Sequence, residues 1–313
     1  MYNFYENDEL DFVLVTDTHF GRTFKNGVPL DRRGEYEEKI YSDFFDFLMS
    51  VKKKIVIHSG DLFESPFVSN EVLIKVYDLL TNTIYASTEY YFVAGNHDLS
   101  KDETKEKYSS FHILSELMKG YDNVHFVEEN PIVIRNKILL VPYNHFNNIE
   151  EVVKENISEG IECVIGHFDD PVPQSLCSFN GLKLSGHFHK KHTTFDGTLF
   201  IGSFYPISFG EESDNSLMET MTLEEYNKRS EEELKDKRIR ILLMDGEELP
   251  TQFPCLQLIG KKLDTQDSVN LEVKAEDNFD FKELFFNSLK ECDIAEELWN
   301  RYIELKGKSY NAA

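Results

Sequence analysis

Several short apolar segments of this chain each end in a polar or histidine-bearing turn, and this recurrence limits the folds that the chain can adopt. The first three are "DFVLVTD" (residues 11–17), "KIVIHSGD" (54–61) and "EYYFVAGNHD" (89–98). Between them, residues 35–50 and 70–84 carry apolar side chains at helical spacing. Strands that alternate with helices predict a layered α/β domain, in which polar groups gather at the carboxyl ends of parallel strands.

The second half of the chain is richer in predicted strands. The candidate segments are residues 131–135, 137–143, 161–170, 182–189 and 198–204. The first two are expected to form a hairpin across Asn136, and the next two again carry glycine and histidine at the strand end. We therefore expect an α/β fold over residues 1–250, a two-sheet β-sandwich flanked by helices.

The chain changes character beyond this region. Residues 211–236 hold ten acidic and three basic residues and no strand pattern, which indicates a solvated helical insertion or a mobile loop. Residues 238–250 are expected to form a strand, a turn and a second strand. Residues 251–313 are expected to form a small C-terminal α+β domain that caps the first domain or docks a partner. Its elements would be strands near 256–261 and 269–275 and a helical stretch over 280–307.

The strand-end side chains form a candidate metal site. They are Asp17, His19, Asp61, Asn96, His167, His187 and His189. Carboxylate, imidazole and amide groups suit a divalent ion of the Mn, Fe or Zn type better than Ca²⁺ or a thiolate-held zinc. His187 and His189 point the same way if the segment is extended. Each motif alone is weak and could belong to a coincidental polar rim, but together they predict a metal site.

The series D-x-H, G-D, G-N-H, H and G-H-x-H over residues 11–210 resembles the calcineurin-like metallophosphoesterase superfamily. The resemblance implies two divalent ions, with Mn²⁺ favoured and Mg²⁺ as the alternative. It implies that Asp17, His19 and His189 bind one ion, that Asn96, His167 and His187 bind the other, and that Asp61 bridges them. It also implies that His97 is catalytic and protonates or holds the leaving oxygen. The other interpretation of His97 is a structural imidazole hydrogen-bonded to Asp98.

Within this superfamily, "GDLF", "GNHD", "SGHFH" and "IGSFYPISFGE" (201–211) resemble the SbcD-type DNA double-strand-break repair nucleases. Phe204 stands where that family usually has proline, and Glu64 stands where it often has a histidine. The chain length and the ending "AEELWNRYIEL" are similar to those of the nuclease subunit of T-even-type bacteriophages. The resemblance implies a metal-dependent DNA exo- and endonuclease for break processing. It would act as a homodimer with an SbcC-type ABC ATPase that bears a coiled coil. The alternatives are a small-nucleotide phosphodiesterase or phosphatase, and a non-catalytic scaffold for the ATPase.

The charge of the chain bears on its partners. A net charge of −24, from 33 basic and 57 acidic residues, argues against coating nucleic acid by general electrostatics. DNA would then need a local basic patch, metal ions or a basic partner. The candidates for DNA backbone contacts are Arg22, Lys25, Arg32 and Arg33, unless they form only a solvated basic loop.

The end of the chain carries a separate signal. Ile294, Leu298 and Tyr302 recur every four residues and Trp299 lies beside them, which predicts one apolar helix face. This face would dock the ATPase, or it would pack on the chain's own small domain.

The cellular location follows from what the sequence lacks. No apolar run approaches the ~20 residues of a membrane span, and "MYNFYENDEL" has no signal-peptide pattern. The four cysteines are scattered without a C-x-x-C pair, as expected for reduced thiols. We expect a cytoplasmic protein without membrane contact, located in the host cytoplasm if it is viral.

Overall fold

The first apolar segments form a five-stranded sheet in a computed structural model that describes residues 2–145, 148–211 and 217–263. In sheet order the strands are β1 (Tyr5–Asn7), β2 (Phe12–Val15), β3 (Ile55–Ser59), β4 (Glu89–Val93) and β5 (Val124–Val127). β1 is antiparallel to β2, and the other neighbours are parallel. Every residue of β2 and β3 is buried, which explains why these segments read as apolar runs rather than alternating patterns.

A six-stranded sheet follows. Its strands are β6 (Ile132–Ile134), β7 (Ile138–Val141), β8 (Cys163–Gly166), β9 (Leu182–Ser185), β10 (His192–Thr193) and β11 (Leu199–Phe200). The sheet order is β10-β11-β9-β8-β7-β6, and β7, β8 and β9 run parallel. The expected hairpin is confirmed, because β6 and β7 are antiparallel. Arg135 and Asn136 in its turn have φ of 50° and 55°, the sign that a tight turn matched to strand twist requires.

The two sheets pack face to face around a shared apolar core. Leu14 and Ile57 of the first sheet lie in one cluster with Leu140 and Ile165 of the second, and all four are fully buried. Burying one such side chain stabilises the fold by about 1.5–3 kcal/mol. The expected two-sheet α/β sandwich is therefore confirmed.

Helices cover the outer faces of the sandwich. The first sheet is covered by α1 (Glu35–Ser50), α2 (Asn70–Thr83) and α3 (Ser110–Met118), and the second by α4 (Ile149–Asn156) and α5 (Gln174–Cys177). Short 3₁₀ helices run over Leu30–Arg32 and Glu103–Tyr108. The helices expected over residues 35–50 and 70–84 are confirmed as α1 and α2. Among the described residues, no helix combines the length and apolar character that crossing a membrane requires.

A third sheet corrects two expectations. It contains β12 (Met218–Thr222), β13 (Arg238–Leu243) and β14 (Gln257–Lys262), with α6 (Leu223–Asn227) and α7 (Glu231–Leu234) between the first two strands. The expectation of no strand within residues 211–236 was wrong, because Met221, Tyr226 and Leu234 are buried with β13 among the acidic residues. The second strand expected within residues 238–250 was also wrong, since β13 is followed there by a turn.

Residues up to Lys261 belong to one compact unit, which includes nearly all of β14. The second unit begins at Lys262. The strand predicted at 269–275 and the helical stretch at 280–307 lie outside the described residues. The domain division at residue 250 stays a prediction.

Candidate metal centre

The carboxyl ends of five strands bring the predicted ligands together. Asp17 and His19 follow β2, Asp61 follows β3, Asn96 follows β4, His167 follows β8, and His187 and His189 follow β9. β2, β3 and β4 are parallel neighbours, as are β8 and β9, so their ends meet at the same edge of each sheet. The expectation that polar groups gather at the carboxyl ends of the strands is therefore confirmed.

One group of side chains consists of Asp17, His19 and His189, whose ligand atoms all lie within 4.8 Å of one another. The Nε2 atoms of His19 and His189 are 3.1 Å apart. Oδ1 of Asp17 lies 3.7 Å from the first and 3.6 Å from the second. Three potential ligand atoms therefore surround one point.

A second group lies beside the first and contains Asp61, His167 and His187. Oδ2 of Asp61 is 3.3 Å from Nε2 of His167. Oδ1 of Asn96 lies 3.0 Å from that same nitrogen and 2.9 Å from Nδ1 of His187. Oδ2 of Asp61 is also 3.6 Å from Nε2 of His19 in the first group, so this carboxylate lies between the two groups.

Each imidazole in these groups has its other nitrogen next to an acceptor. Nδ1 of His19 is 3.0 Å from Glu64, Nδ1 of His189 is 3.1 Å from Glu211, Nδ1 of His167 is 2.9 Å from the Ser59 carbonyl, and Nε2 of His187 is 3.0 Å from Asp169. Metal-ligating histidines commonly have such an outer partner, which fixes the tautomer and the ring orientation. Sequence reasoning missed Ser59, Asp169 and Glu211 in this role, and it treated Glu64 only as a departure from a family pattern.

The main chain at the site is held in an unusual conformation. Asp17, His19, Asp61 and His187 have φ of 53°, 47°, 54° and 81°. Non-glycine residues rarely adopt positive φ, and such strain collects at functional sites. Gly95 allows the close approach that this geometry needs, since a Cβ there would lie 2.2 Å from Oδ1 of Asp61. The fold therefore accepts local strain to place these side chains.

The charges of the site offset one another. Burial would raise the pKa of Asp17 and Asp61, but the neighbouring imidazoles outweigh burial and lower both pKa values. Burial would lower the pKa of His19 and His167, but the carboxylates outweigh it and raise them to about 10 and about 9. The carboxylates of the site thus favour the positively charged, protonated form of these two imidazoles.

The donor set fits a divalent cation. Carboxylates only accept hydrogen bonds, so the Nδ1 atoms of His19 and His189, which face Glu64 and Glu211, carry protons. The two Nε2 atoms face each other at 3.1 Å, so either a proton, in keeping with the raised pKa of His19, or a metal cation must lie between them. Oδ1 of Asp17 is buried without a hydrogen-bond partner and lies beside the same point.

Comparison with known protein families agrees with this geometry. The model of the calcineurin-like phosphoesterase family matches residues 10–191, more than half of the chain. This chain belongs to the calcineurin-like phosphoesterase family. Such phosphoesterases use divalent metals, and the two side-chain groups described above are candidate metal ligands in this member of the family. The family resemblance expected from the strand-end motifs is confirmed.

Individual relatives of this phosphoesterase are more distant. A DNA double-strand break repair protein Mre11 from Methanococcus maripaludis is 28% identical over 151 residues, which cover 47% of this chain and 38% of that protein. This chain thus matches less than half of the length of that curated relative. Among solved structures, a Pseudomonas putida nuclease MPE is similar, with 15% identity, a TM-score of 0.37 and coverage of 63% of this chain and 76% of that chain. A protein of unknown function from Aquifex aeolicus has 19% identity, a TM-score of 0.27 and coverage of 52% and 83%. Both TM-scores are low, so these structures add no functional argument.

His97 of the phosphoesterase lies at the edge of the metal-ligand groups. Its Nδ1 donates a hydrogen bond to the main-chain carbonyl of Glu64 at 2.6 Å, because a carbonyl can only accept. Its backbone N–H donates to Oδ1 of Asp61 at 2.8 Å. The Asp98 carboxylate accepts instead from the backbone N–H groups of residues 62, 63 and 95. The Nε2 atom of His97 is therefore the one left for chemistry, although its ring also lies within ligand distance of His19 and Asp61.

The predicted DNA contacts have different surroundings. Lys25 and Arg33 are exposed. Arg22 pairs with Glu64 at 3.2 Å and lines a cleft of about 490 Å³. Arg32 donates at 2.8 Å to the carbonyls of residues 235 and 254, so its guanidinium is largely occupied within the protein. A role of these four side chains in binding DNA stays a prediction.

Proposed function

We propose that this chain is a Mn²⁺-dependent DNA exo- and endonuclease that processes double-strand breaks together with an SbcC-type ABC ATPase. The observation that carries the proposal is the pair of ligand groups with Asp61 between them. Membership of the calcineurin-like phosphoesterase family supports hydrolysis of a phosphoester, and the partial likeness to a DNA repair protein supports DNA as the substrate. Mg²⁺ is the alternative metal.

Each of the two groups of side chains is proposed to bind one metal ion. Asp17, His19 and His189 would hold one ion, Asn96, His167 and His187 would hold the other, and Asp61 would contribute to both. When bound, two such ions activate a water molecule and neutralise the phosphoryl oxygens of the substrate. The chain's own part is to fix the ligands through buried contacts and to present Nε2 of His97 to the leaving oxygen.

The direct test is hydrolysis of single- and double-stranded DNA by metal-free protein, each with and without added Mn²⁺. We expect cleavage only with the metal. The runner-up is a small-nucleotide phosphodiesterase, which the net charge of −24 favours because the surface as a whole repels a polyanion. If DNA stays intact under every condition while a small nucleotide is hydrolysed with Mn²⁺, the runner-up replaces the proposal.

The same charge predicts how DNA is bound. We expect the isolated protein to bind duplex DNA weakly and with strong salt dependence, since each phosphate contact needs a cation. Adding the partner ATPase should increase the affinity greatly, because the partner would supply the duplex-binding surface. Fluorescence anisotropy of a labelled duplex over a salt series measures both effects.

The matched control for this gain is a chain that ends at Asp280, which lacks the predicted partner-docking residues Ile294, Leu298, Trp299 and Tyr302. These residues lie outside the described part of the chain, so the docking role rests on their sequence spacing. The shortened chain should lose the gain from the ATPase but keep hydrolysis of a small phosphodiester. Tight duplex binding by the isolated full chain at physiological salt would contradict this prediction, as would an undiminished gain in the shortened chain.

We also propose that the protein is a homodimer. α2 and α3 are neighbours that carry exposed apolar side chains, among them Ile74, Ile113 and Leu117 with relative exposures of 59%, 38% and 50%. Apolar side chains on adjacent helices are the kind of surface that a second copy would cover. Sedimentation equilibrium should give twice the chain mass of 36.5 kDa, and Leu117→Glu should shift it towards the monomer. A monomer at all concentrations would contradict the proposal.

A further inference from the structure

Glu64 lies where two strand-end loops of the metal centre run side by side. The loop after β2 and the loop after β3 are joined by backbone hydrogen bonds from His19 to Asp61 at 3.1 Å and from Phe20 to Leu62 at 2.9 Å. The pairing ends with the Glu64 N–H, which donates to the Phe20 carbonyl at 3.0 Å. This backbone pairing fixes Glu64 next to the first ligand group.

Three neighbours meet at Glu64 through different atoms. Oε2 of its carboxylate lies 3.0 Å from Nδ1 of His19. Nη1 of Arg22 donates to both carboxylate oxygens, at 3.2 and 3.3 Å. The main-chain carbonyl of Glu64 accepts from Nδ1 of His97 at 2.6 Å. The side chain therefore faces a metal-ligand candidate, while the main chain faces the candidate catalytic residue.

The Nδ1 atom of His19 needs this carboxylate. It is buried and has no hydrogen bond of good geometry among the described residues, and the Glu64 carboxylate lies beside it at 3.0 Å. A buried donor without a partner costs about 1–3 kcal/mol. At 3.0 Å, the Glu64 carboxylate is close enough to accept from it, and Arg22 holds this carboxylate in place.

We infer that Glu64 is a positioning residue for metal binding, whose carboxylate fixes the His19 imidazole with Nε2 directed at the first ligand group. The inference rests on the proposed metal site and adds a residue to it. Glu64 is not proposed as a ligand or as a catalytic residue. Its carboxylate acts on metal affinity through His19, whereas its contact with His97 uses the main chain and survives any side-chain substitution.

The test is isothermal titration of metal-free protein with Mn²⁺. In Glu64→Ala we expect one of the two binding events to weaken by about 10–100-fold, the usual effect of removing an outer partner of a metal-bound histidine. The other event should keep the parent affinity, because Glu64 contacts neither His167 nor His187. At saturating Mn²⁺, the kcat for a small phosphodiester should return close to the parent value, since His97 remains held.

Two further variants separate positioning from charge and from general damage. Glu64→Gln keeps an oxygen that can accept from Nδ1 of His19 and should bind Mn²⁺ more tightly than Glu64→Ala. Glu37→Ala removes a carboxylate from the cleft that Arg22 also lines. The Glu37 carboxylate accepts from the Phe24 N–H at 2.8 Å rather than from an imidazole of the site. This variant should bind both ions with the parent affinity.

The outcomes distinguish this inference from the proposed function. If the parent binds no Mn²⁺, the metal site itself fails, and the inference fails with it. If the parent binds two ions and Glu64→Ala binds both with unchanged affinity, only the role of Glu64 is overturned. Equal losses in Glu64→Gln and Glu64→Ala would overturn positioning through a hydrogen bond. Weakening of both binding events by the same factor would also overturn it, because the contact reaches only one group.

Discussion

An Asp61→Ala variant is expected to lose both metal ions and its DNA hydrolysis together. Asp61 is 1% exposed, and its Oδ2 lies 3.6 Å from Nε2 of His19 and 3.3 Å from Nε2 of His167, so it belongs to both ligand groups. Removing it leaves Asp17 as the one carboxylate of the two groups, and the imidazoles supply no negative charge to offset that of two cations. Metal analysis after gel filtration should find neither ion, and nuclease activity should fall below detection.

The substitution needs controls because Asp61 has a φ of 54°. Alanine is strained in this conformation, whereas asparagine adopts it more readily. Asp61→Asn therefore preserves the backbone but removes the charge, and it should still bind metal far more weakly than the parent. His189→Ala removes a ligand of one group only, and it should retain the other ion while losing hydrolysis. Two ions bound to Asp61→Ala would contradict a bridging role for this carboxylate.

The ligand groups could be predicted because strands constrain their ends. Asp17 and His167 lie far apart in sequence, yet each follows a buried apolar strand. In parallel sheets such ends converge, so the sequence order of the motifs already indicates a shared site. The sandwich was predicted from a different signal, because a second sheet packed on the first accounts for the many strands in the second half of the chain.

The outer partners of the imidazoles could not be predicted in this way. Glu211 reaches His189 across 22 residues of chain, and Glu64 reaches His19 through the paired loops. An acidic residue in a loop has no periodicity that reveals its neighbours, and this chain has 57 acidic residues. The identity of these contacts depends on tertiary structure alone.

The third sheet was not predicted, for a related reason. In β12, the buried residues Met218 and Met221 lie three residues apart. This spacing does not match the two-residue repeat of a strand, and the segment is too short to show a helical repeat. β12 pairs with β13 in parallel, and the chain between them forms α6 and α7, so no hairpin turn in the sequence links the two strands. The acidic composition of the segment therefore led to the prediction of an insertion or loop instead of a strand.

The surroundings of Arg32 could not be predicted either. Its hydrogen bonds to the carbonyls of residues 235 and 254 depend on the folded chain, and a cluster of basic residues in the sequence does not indicate them.

His97→Ala is expected to keep both metal ions and to lose about 10²–10⁴-fold in the rate of DNA hydrolysis, the usual contribution of a general acid. The Glu64 carbonyl holds Nδ1 of the ring, so a proton on Nε2 is the one available to the leaving oxygen. Metal analysis and the rate at saturating Mn²⁺ are the two measurements. His125→Ala is the matched control, because His125 pairs with Glu89 at 2.8 Å away from the ligand groups and should hydrolyse DNA at the parent rate.

The nature of the leaving group separates the roles that His97 could have. A DNA strand leaves as a basic alkoxide that needs a proton, whereas p-nitrophenolate departs without one. A general acid at position 97 is therefore needed for DNA and nearly dispensable for a p-nitrophenyl phosphodiester, so His97→Ala should lose far more rate on the first substrate than on the second. Equal losses on both substrates would contradict the acid role. Loss of a metal ion in His97→Ala would instead indicate that His97 is a metal ligand. The structure allows this role, because a ring nitrogen of His97 lies within 4.8 Å of ligand atoms of His19 and Asp61. The parent rate on DNA would leave His97 with a structural role only.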